Sequence, residues 1–156
     1  MRNIYILAAY AAQTFAADDK CRALAMSGGA NYGAWEAGII WGLMHYGDPA
    51  DFAWDVITGV SAGAINTSAT AVWNVGDEVK MSEFMSETWQ TLTTHDIWVD
   101  WPEGPAIALF NKQGLVDDSP ALDFITRTLK PFGKLSDRKF TVSAANVDTG
   151  NLEIFN

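Results

Sequence analysis

The chain has 156 residues, 49% hydrophobic and 19% charged, which is enough for one domain with a buried core and excludes a disordered chain. Ten basic against 19 acidic residues leave a net charge of −9, which argues against a nucleic-acid partner and against electrostatic docking on anionic lipid. The single cysteine, Cys21, rules out an intrachain disulfide and a cysteine-built metal cluster, and is expected to be a small buried hydrophobe.

In chain order, Met1-Arg2-Asn3, the apolar run Ile4 to Ala12 and the small-residue stretch Gln13-Thr14-Phe15-Ala16 have the layout of a secretory signal peptide. The apolar part is too short to span a bilayer. Residues 1–16 are therefore expected to be a leader and 17–156 the domain, which implies secretion or an endomembrane lumen. The alternative is an N-terminal buried strand or helix.

Arg22 to Met26 reads as a first core strand, Ser27 to Gly33 as a glycine-rich loop, and Ala34 to Tyr46 as a helix. The helix should turn Ile39, Ile40, Leu43 and Met44 inward and stop at Gly47. The apolar run 52–58 reads as a second strand and 64–73 as a second helix. Strand–helix–strand–helix order implies a parallel sheet with helices packed on it. Asp77 is placed to cap a third helix over 78–92, with an inward stripe of Met81, Phe84, Met85, Thr88, Trp89 and Leu92. Residues 94–118 read as an irregular, unusually apolar connector with Trp98, Val99, Trp101, Ile107, Leu109 and Phe110. Ser119-Pro120 caps a fourth helix with Leu122, Ile125 and Leu129 inward, and Pro131 ends it. Residues 139–145 read as a strand, Asp148-Thr149-Gly150 as a turn and 152–155 as a hairpin partner.

The chemistry concentrates at Gly59-Val60-Ser61-Ala62-Gly63, between the second strand and its helix. G-x-S-x-G at a sharp strand-to-helix corner is the pattern of a nucleophile elbow. The turn lifts the serine hydroxyl clear, and side chains at the flanking positions would collide with neighbouring backbone. The competing reading is a glycine-rich turn in which Ser61 caps the helix. A serine nucleophile needs a base. His45 ends the first helix and His95 lies at a helix-to-loop junction, so each reads as a surface or capping histidine; a desolvated carboxylate could serve instead. An acyl intermediate also needs donors for its oxyanion, and Gly28, Gly29 and Ala30 offer consecutive N–H groups ahead of a helix. A dinucleotide loop is disfavoured, because the glycines of 28–33 do not fall at G-x-G-x-x-G spacing.

Met26 to Gly38 followed by Thr58 to Asn66 resembles the patatin-like phospholipase family, and Thr141 to Gly150 resembles that family's strand and turn after the nucleophile helix. The resemblance covers residues 22–156. It implies a three-layer α/β/α fold with a mainly parallel central sheet, and a Ser-Asp dyad that hydrolyses acyl esters of lipids without metal or other cofactor. By that resemblance Ser61 is the nucleophile, and Gly28, Gly29 and Ala30 are the oxyanion loop. Peripheral contact with a membrane is a further expectation; the Trp98–Trp101 segment reads either as a lipid-facing lip or, the commoner outcome for such aromatics, as a buried part of the loop, and no sequence feature specifies an oligomer.

Two departures stand out. The family loop usually carries a third glycine where this chain has Ala30, and a basic residue where it has Tyr32. The family's aspartate lies in a downstream Asp-Gly motif, and this chain has no Asp-Gly dipeptide. The chain is therefore expected to be the N-terminal portion of a longer enzyme, its fold incomplete at the C-terminus. The alternatives are a catalytically silent lipid-binding or assembly module and an α/β-hydrolase esterase with a later histidine. Asn66-Thr67-Ser68 is formally a glycosylation sequon, but Asn66 on the helix behind Ser61 is expected to be a buried polar contact.

Overall fold

The structure is a computed structural model that describes residues 20–104, 107–108, 110, 112 and 114–156. The expected leader, 1–16, and the connector positions Pro105 and Leu109 lie outside the described residues.

Four strands form one sheet in the order β1 (Ala23–Met26), β2 (Val56–Val60), β3 (Lys139–Ala145), β4 (Leu152–Phe155). The first three are parallel and β4 is antiparallel to β3. β1 connects to β2 through helix α1 (Gly33–Tyr46), and β2 is followed by α2 (Ala62–Ala71). Helices α3 (Glu78–Thr91) and α4 (Ser119–Leu129) come before β3. The mainly parallel α/β sheet is the expected one.

The register sets which side chains meet. Leu24, Ile57 and Phe140 align across the three parallel strands and belong to the core with Met26, Ala37, Ile40, Met44, Met81 and Met85. Burying Ile57, Met81 and Met85 completely contributes about 1.5–3 kcal/mol each. Ala25 and Thr58, aligned on the opposite face, are exposed. α2 packs on β2 and β3, and α1 packs against α3.

Several sequence expectations are corrected. Residues 52–55 are not strand. Pro49–Phe52 form a 3₁₀ turn whose first N–H groups are met by Asp48, with Ala50 N donating to Asp48 Oδ1 at 3.0 Å; β2 starts at Val56, where pairing with Ala23 starts. In α1 the buried line is Gly33, Ala37, Ile40 and Met44, while Ile39 is exposed. This helix is apolar nearly all round, so periodicity cannot point it; the docking of α3 decides which face is buried. In α4 Phe124 is buried and Leu122 is exposed. Cys21 is exposed. Asp77 holds the N-cap position of α3 without a side-chain capping bond and pairs with Lys80 at 3.5 Å; Glu78 Oε2 accepts from Gly76 N at 2.7 Å. The connector is not wholly irregular, since positions 107, 108 and 110 are helical and Val99 bridges Asp117.

One buried ion pair closes the core. The Arg138 guanidinium donates to Glu78 Oε1 at 2.9 Å and to the carbonyls of Trp54, Trp73 and Asn74, so a cation ahead of β3 ties together the segments preceding β2 and α3. At the surface, Asp96 accepts from the Thr93 hydroxyl at 2.7 Å and its N–H at 2.9 Å, and pairs with Arg127 of α4. These bonds, the Thr93 hydroxyl foremost, hold the Asp96 carboxyl down at about 2. No helix among the described residues is long and apolar enough to cross a membrane.

Candidate active site

Ser61 sits between the end of β2 and the start of α2 with φ 56° and ψ −125°, one of two non-glycine residues with positive φ among those described. Such a conformation costs an L-residue about 1–3 kcal/mol and persists only where its surroundings force it. Here the flanking glycines do so. A Cβ on Gly59 would meet the Gly63 carbonyl oxygen at 2.1 Å, and one on Gly63 would meet the Met26 carbonyl oxygen at 2.4 Å. The corner is thus wedged against its own helix on one side and against the end of β1 on the other. Ser61 is exposed and occupies the N-cap position of α2, yet its hydroxyl makes no capping bond. The capping alternative is therefore not what the hydroxyl does. Its carbonyl opens the helix by accepting from Ala64 N at 2.9 Å.

The loop after β1 lies against this corner. A Cβ built on Gly28 would be 3.0 Å from Ser61 Cβ and 3.7 Å from Ser61 Oγ. Gly29 leads into a 3₁₀ turn, Ala30–Tyr32, that runs directly into α1. Among the described residues, no hydrogen bond outside the helices and strands engages the N–H groups of Gly28, Gly29 or Ala30. Ala30 has φ 51°, a left-handed conformation in which a Cβ is strained. That gives a physical reason for the glycine that the family pattern places here. Ser27, Gly28, Tyr32, Trp35 and Glu36 line a cavity of about 240 Å³. Tyr32 and Trp35 are 70% and 68% exposed at its rim.

Under this surface runs a polar network. Glu36, in the first turn of α1, accepts from Ser27 N at 2.8 Å with Oε1 and from Asn66 Nδ2 at 3.0 Å with Oε2. Asn66 also donates to the Gly33 carbonyl at 3.0 Å and accepts from Trp89 Nε1 at 2.7 Å. Asn66 is 1% exposed, so the polar contact expected of it is present. Glu36 was not singled out by the sequence reading; a lone carboxylate in the first turn of an otherwise apolar helix was the available signal. A second, apolar cleft of about 150 Å³ lies between α2 and α4, lined by Ala64, Ile65, Phe124 and Leu129 among others. It adjoins α2 beyond Ser61 but contains none of the loop residues.

The histidines are elsewhere. His45 Nδ1 lies 2.9 Å from the Trp41 carbonyl and its ring stacks on Trp41, at the far end of α1. His95 belongs to the 94–96 turn beside α4. Trp98 is exposed, whereas Trp101 is half-buried and donates to the Gly114 carbonyl at 3.0 Å, so the segment is neither wholly an outward lip nor wholly buried. Among the described residues no group of His, Cys, Asp and Glu is placed to hold a metal ion.

A mainly parallel sheet carrying a serine on a strained strand-to-helix corner beside a glycine-rich loop defines an α/β protein whose corner has the backbone pattern of a nucleophile elbow. The chain matches the family Patatin, described as patatin-like phospholipase, over residues 24–155. It belongs to that family, one of lipid acyl hydrolases. No curated protein and no solved structure matches it.

Proposed function

We propose that the protein is a phospholipase A-type lipid acyl hydrolase in which Ser61 is the nucleophile and the Gly28, Gly29 and Ala30 amides stabilise the oxyanion. The observation that carries this is the uncapped Ser61 hydroxyl at φ 56°, with Gly28 packed directly against it. Ser61 Oγ attacks the ester carbonyl carbon, and its proton passes to a carboxylate, which the family pattern makes an aspartate. The carbonyl oxygen takes up the electron pair and is met by the loop amides. Collapse breaks the ester C–O bond, and the leaving oxygen takes the proton back from the carboxylic acid to depart as the alcohol. The carboxylate then takes a proton from the water that attacks acyl-Ser61, and returns it to Ser61 Oγ as the fatty acid leaves. Hydroxyl, base and amides supply nucleophile, proton transfer and charge stabilisation, so the scheme needs neither metal nor cofactor. Removing one oxyanion donor typically costs about 3–4 kcal/mol of transition-state stabilisation.

The partner is a lipid or other acyl ester presented at an interface. Tyr32 and Trp35, exposed at the rim of the cavity, support peripheral contact with a lipid surface. The net charge of −9 favours zwitterionic over anionic lipid. The signal-like pattern of residues 1–16 supports secretion or delivery to an endomembrane lumen.

A second reading, a silent lipid-binding or assembly module, draws on the strained Ala30 in the donor loop and on Tyr32 in place of a basic residue. One experiment separates the two. The full-length protein is treated with a fluorophosphonate and, in parallel, with a fluorogenic phospholipid ester. A hydrolase labels and releases fatty acid, and Ser61→Ala abolishes both. Wild type that labels no faster than Ser61→Ala refutes the hydrolase reading and leaves the silent module.

A further inference from the structure

The two halves of the site come from different parts of the chain, and one carboxylate joins them. Ser27 immediately precedes the donor loop, and Asn66 lies between one and two turns along α2 from Ser61. Glu36 Oε1 holds the Ser27 N–H at 2.8 Å, and Oε2 holds the Asn66 side-chain amide at 3.0 Å. Every polar atom of the Asn66 side chain is engaged. Its Nδ2 donates to the Gly33 carbonyl and to Glu36, and its Oδ1 accepts from Trp89. Bonds to an ionised carboxylate are about twice as strong as neutral ones, and a fully satisfied network allows little drift.

We infer that Glu36 and Asn66 are positioning residues that fix the donor loop relative to Ser61. This rests on reading Ser61 as the nucleophile. The apolar core already joins α1 and α2 to the sheet through Met26, Ala37, Ile40 and Ala69, so the polar bridge is not what holds these elements together. Its two anchor points are the residue before Gly28 and the helix that starts at Ser61. A misplacement of about 1 Å between reacting groups can cost on the order of a hundredfold in rate, and this bridge restrains that separation.

The test is a swapped pair in the full-length protein, read as the fluorophosphonate acylation of Ser61 resolved into kinact and KI. Glu36→Gln turns one acceptor into a donor that faces the Asn66 amide. Asn66→Asp sets two carboxylates against each other and puts an oxygen against the Gly33 carbonyl. Each single variant is expected to lower kinact about 10- to 100-fold with KI within about threefold. The double variant restores a donor–acceptor pair between positions 36 and 66 with the roles exchanged, but not the bond to the Gly33 carbonyl, so it is expected to recover about tenfold over Asn66→Asp, the single variant that shares that loss, without reaching wild type.

A role confined to stability would move melting temperature without this split or this rescue. Where Asn66→Asp does not fold, Trp89→Phe replaces it; it frees Asn66 Oδ1, also trims the ring packed on Gly33, and should lower kinact at least about threefold. Folded variants that keep wild-type kinact overturn the inference, as does a double variant no better than Asn66→Asp. Loss of labelling in Glu36→Gln without rescue would also overturn it and make Glu36 itself the base. Wild type that labels no faster than Ser61→Ala refutes the nucleophile reading, and this inference with it.

Discussion

Replacing Ser61 with glycine should make the protein more stable while abolishing acylation. At φ 56° and ψ −125° the serine is held where a Cβ is disfavoured, at a cost of about 1–3 kcal/mol. Glycine relieves that strain but adds freedom to the unfolded chain, worth about 0.5–1 kcal/mol in the opposite direction. The lost hydroxyl subtracts little, because it makes no capping bond to α2. The net gain is about 1 kcal/mol, which raises the melting temperature of a domain of this size by about 2–4 °C. Ser61→Ala keeps the Cβ and therefore the strain, so it should melt within about 1 °C of wild type. Calorimetry or circular dichroism on the three proteins reads the difference. A Ser61→Gly protein that melts at or below Ser61→Ala would refute the claim that the corner is strained, and with it the argument that the surroundings force Ser61 outward.

Four other outcomes are expected. Gly63→Ala places a methyl group 2.4 Å from the Met26 carbonyl oxygen and 2.7 Å from that of Ser27, so denaturant unfolding should show a loss of about 1–3 kcal/mol or more. Ala30→Gly relieves the left-handed strain at φ 51° and should stabilise the chain by up to about 1 kcal/mol, with acylation undiminished. Glu78→Ala leaves the buried Arg138 without its counter-ion and should cost about 3–5 kcal/mol, a drop on the order of 10 °C in thermal melting. Asp96 should titrate near 2 rather than the ordinary 3.8 in a carboxyl NMR titration. A depressed folded-state pKa means that its stabilising contribution is complete above about pH 4 and is lost as the pH falls from there toward 2. Thr93→Ala should raise the midpoint more than Arg127→Ala does, since the Thr93 hydroxyl is the larger cause.

How far the fold could be read in advance depended on the range of the forces involved. The strand at 139–145 and its hairpin partner at 152–155 were read at the bounds the structure shows, and the helix at Ser119-Pro120 within one residue, its cap position falling on Asp118. Local propensity and turn chemistry suffice for such elements. The turn around 49–52 was missed because the apolar side chains of Phe52 and Trp54 mimic a strand, while the Asp48 bond to Ala50 N makes a 3₁₀ turn. Ile39 and Leu122 were assigned inward because an apolar residue near a helical stripe carries no label for which neighbour will arrive.

The candidate site divides in the same way. The glycines around Ser61 announce a corner, because any side chain there would strike backbone only a few residues away or at the adjoining strand end. Such steric exclusion is written residue by residue, so the strained corner and the glycine-rich loop could be placed from the amino-acid order. The bridge from Ser27 through Glu36 to Asn66, and the burial of Arg138 against Glu78, could not. A carboxylate or guanidinium looks the same in sequence whether it faces water or a partner 30 or 60 positions away. Which of the two it faces is settled when the helices dock, since docking removes the competing water and leaves each charge the partner the packing supplies.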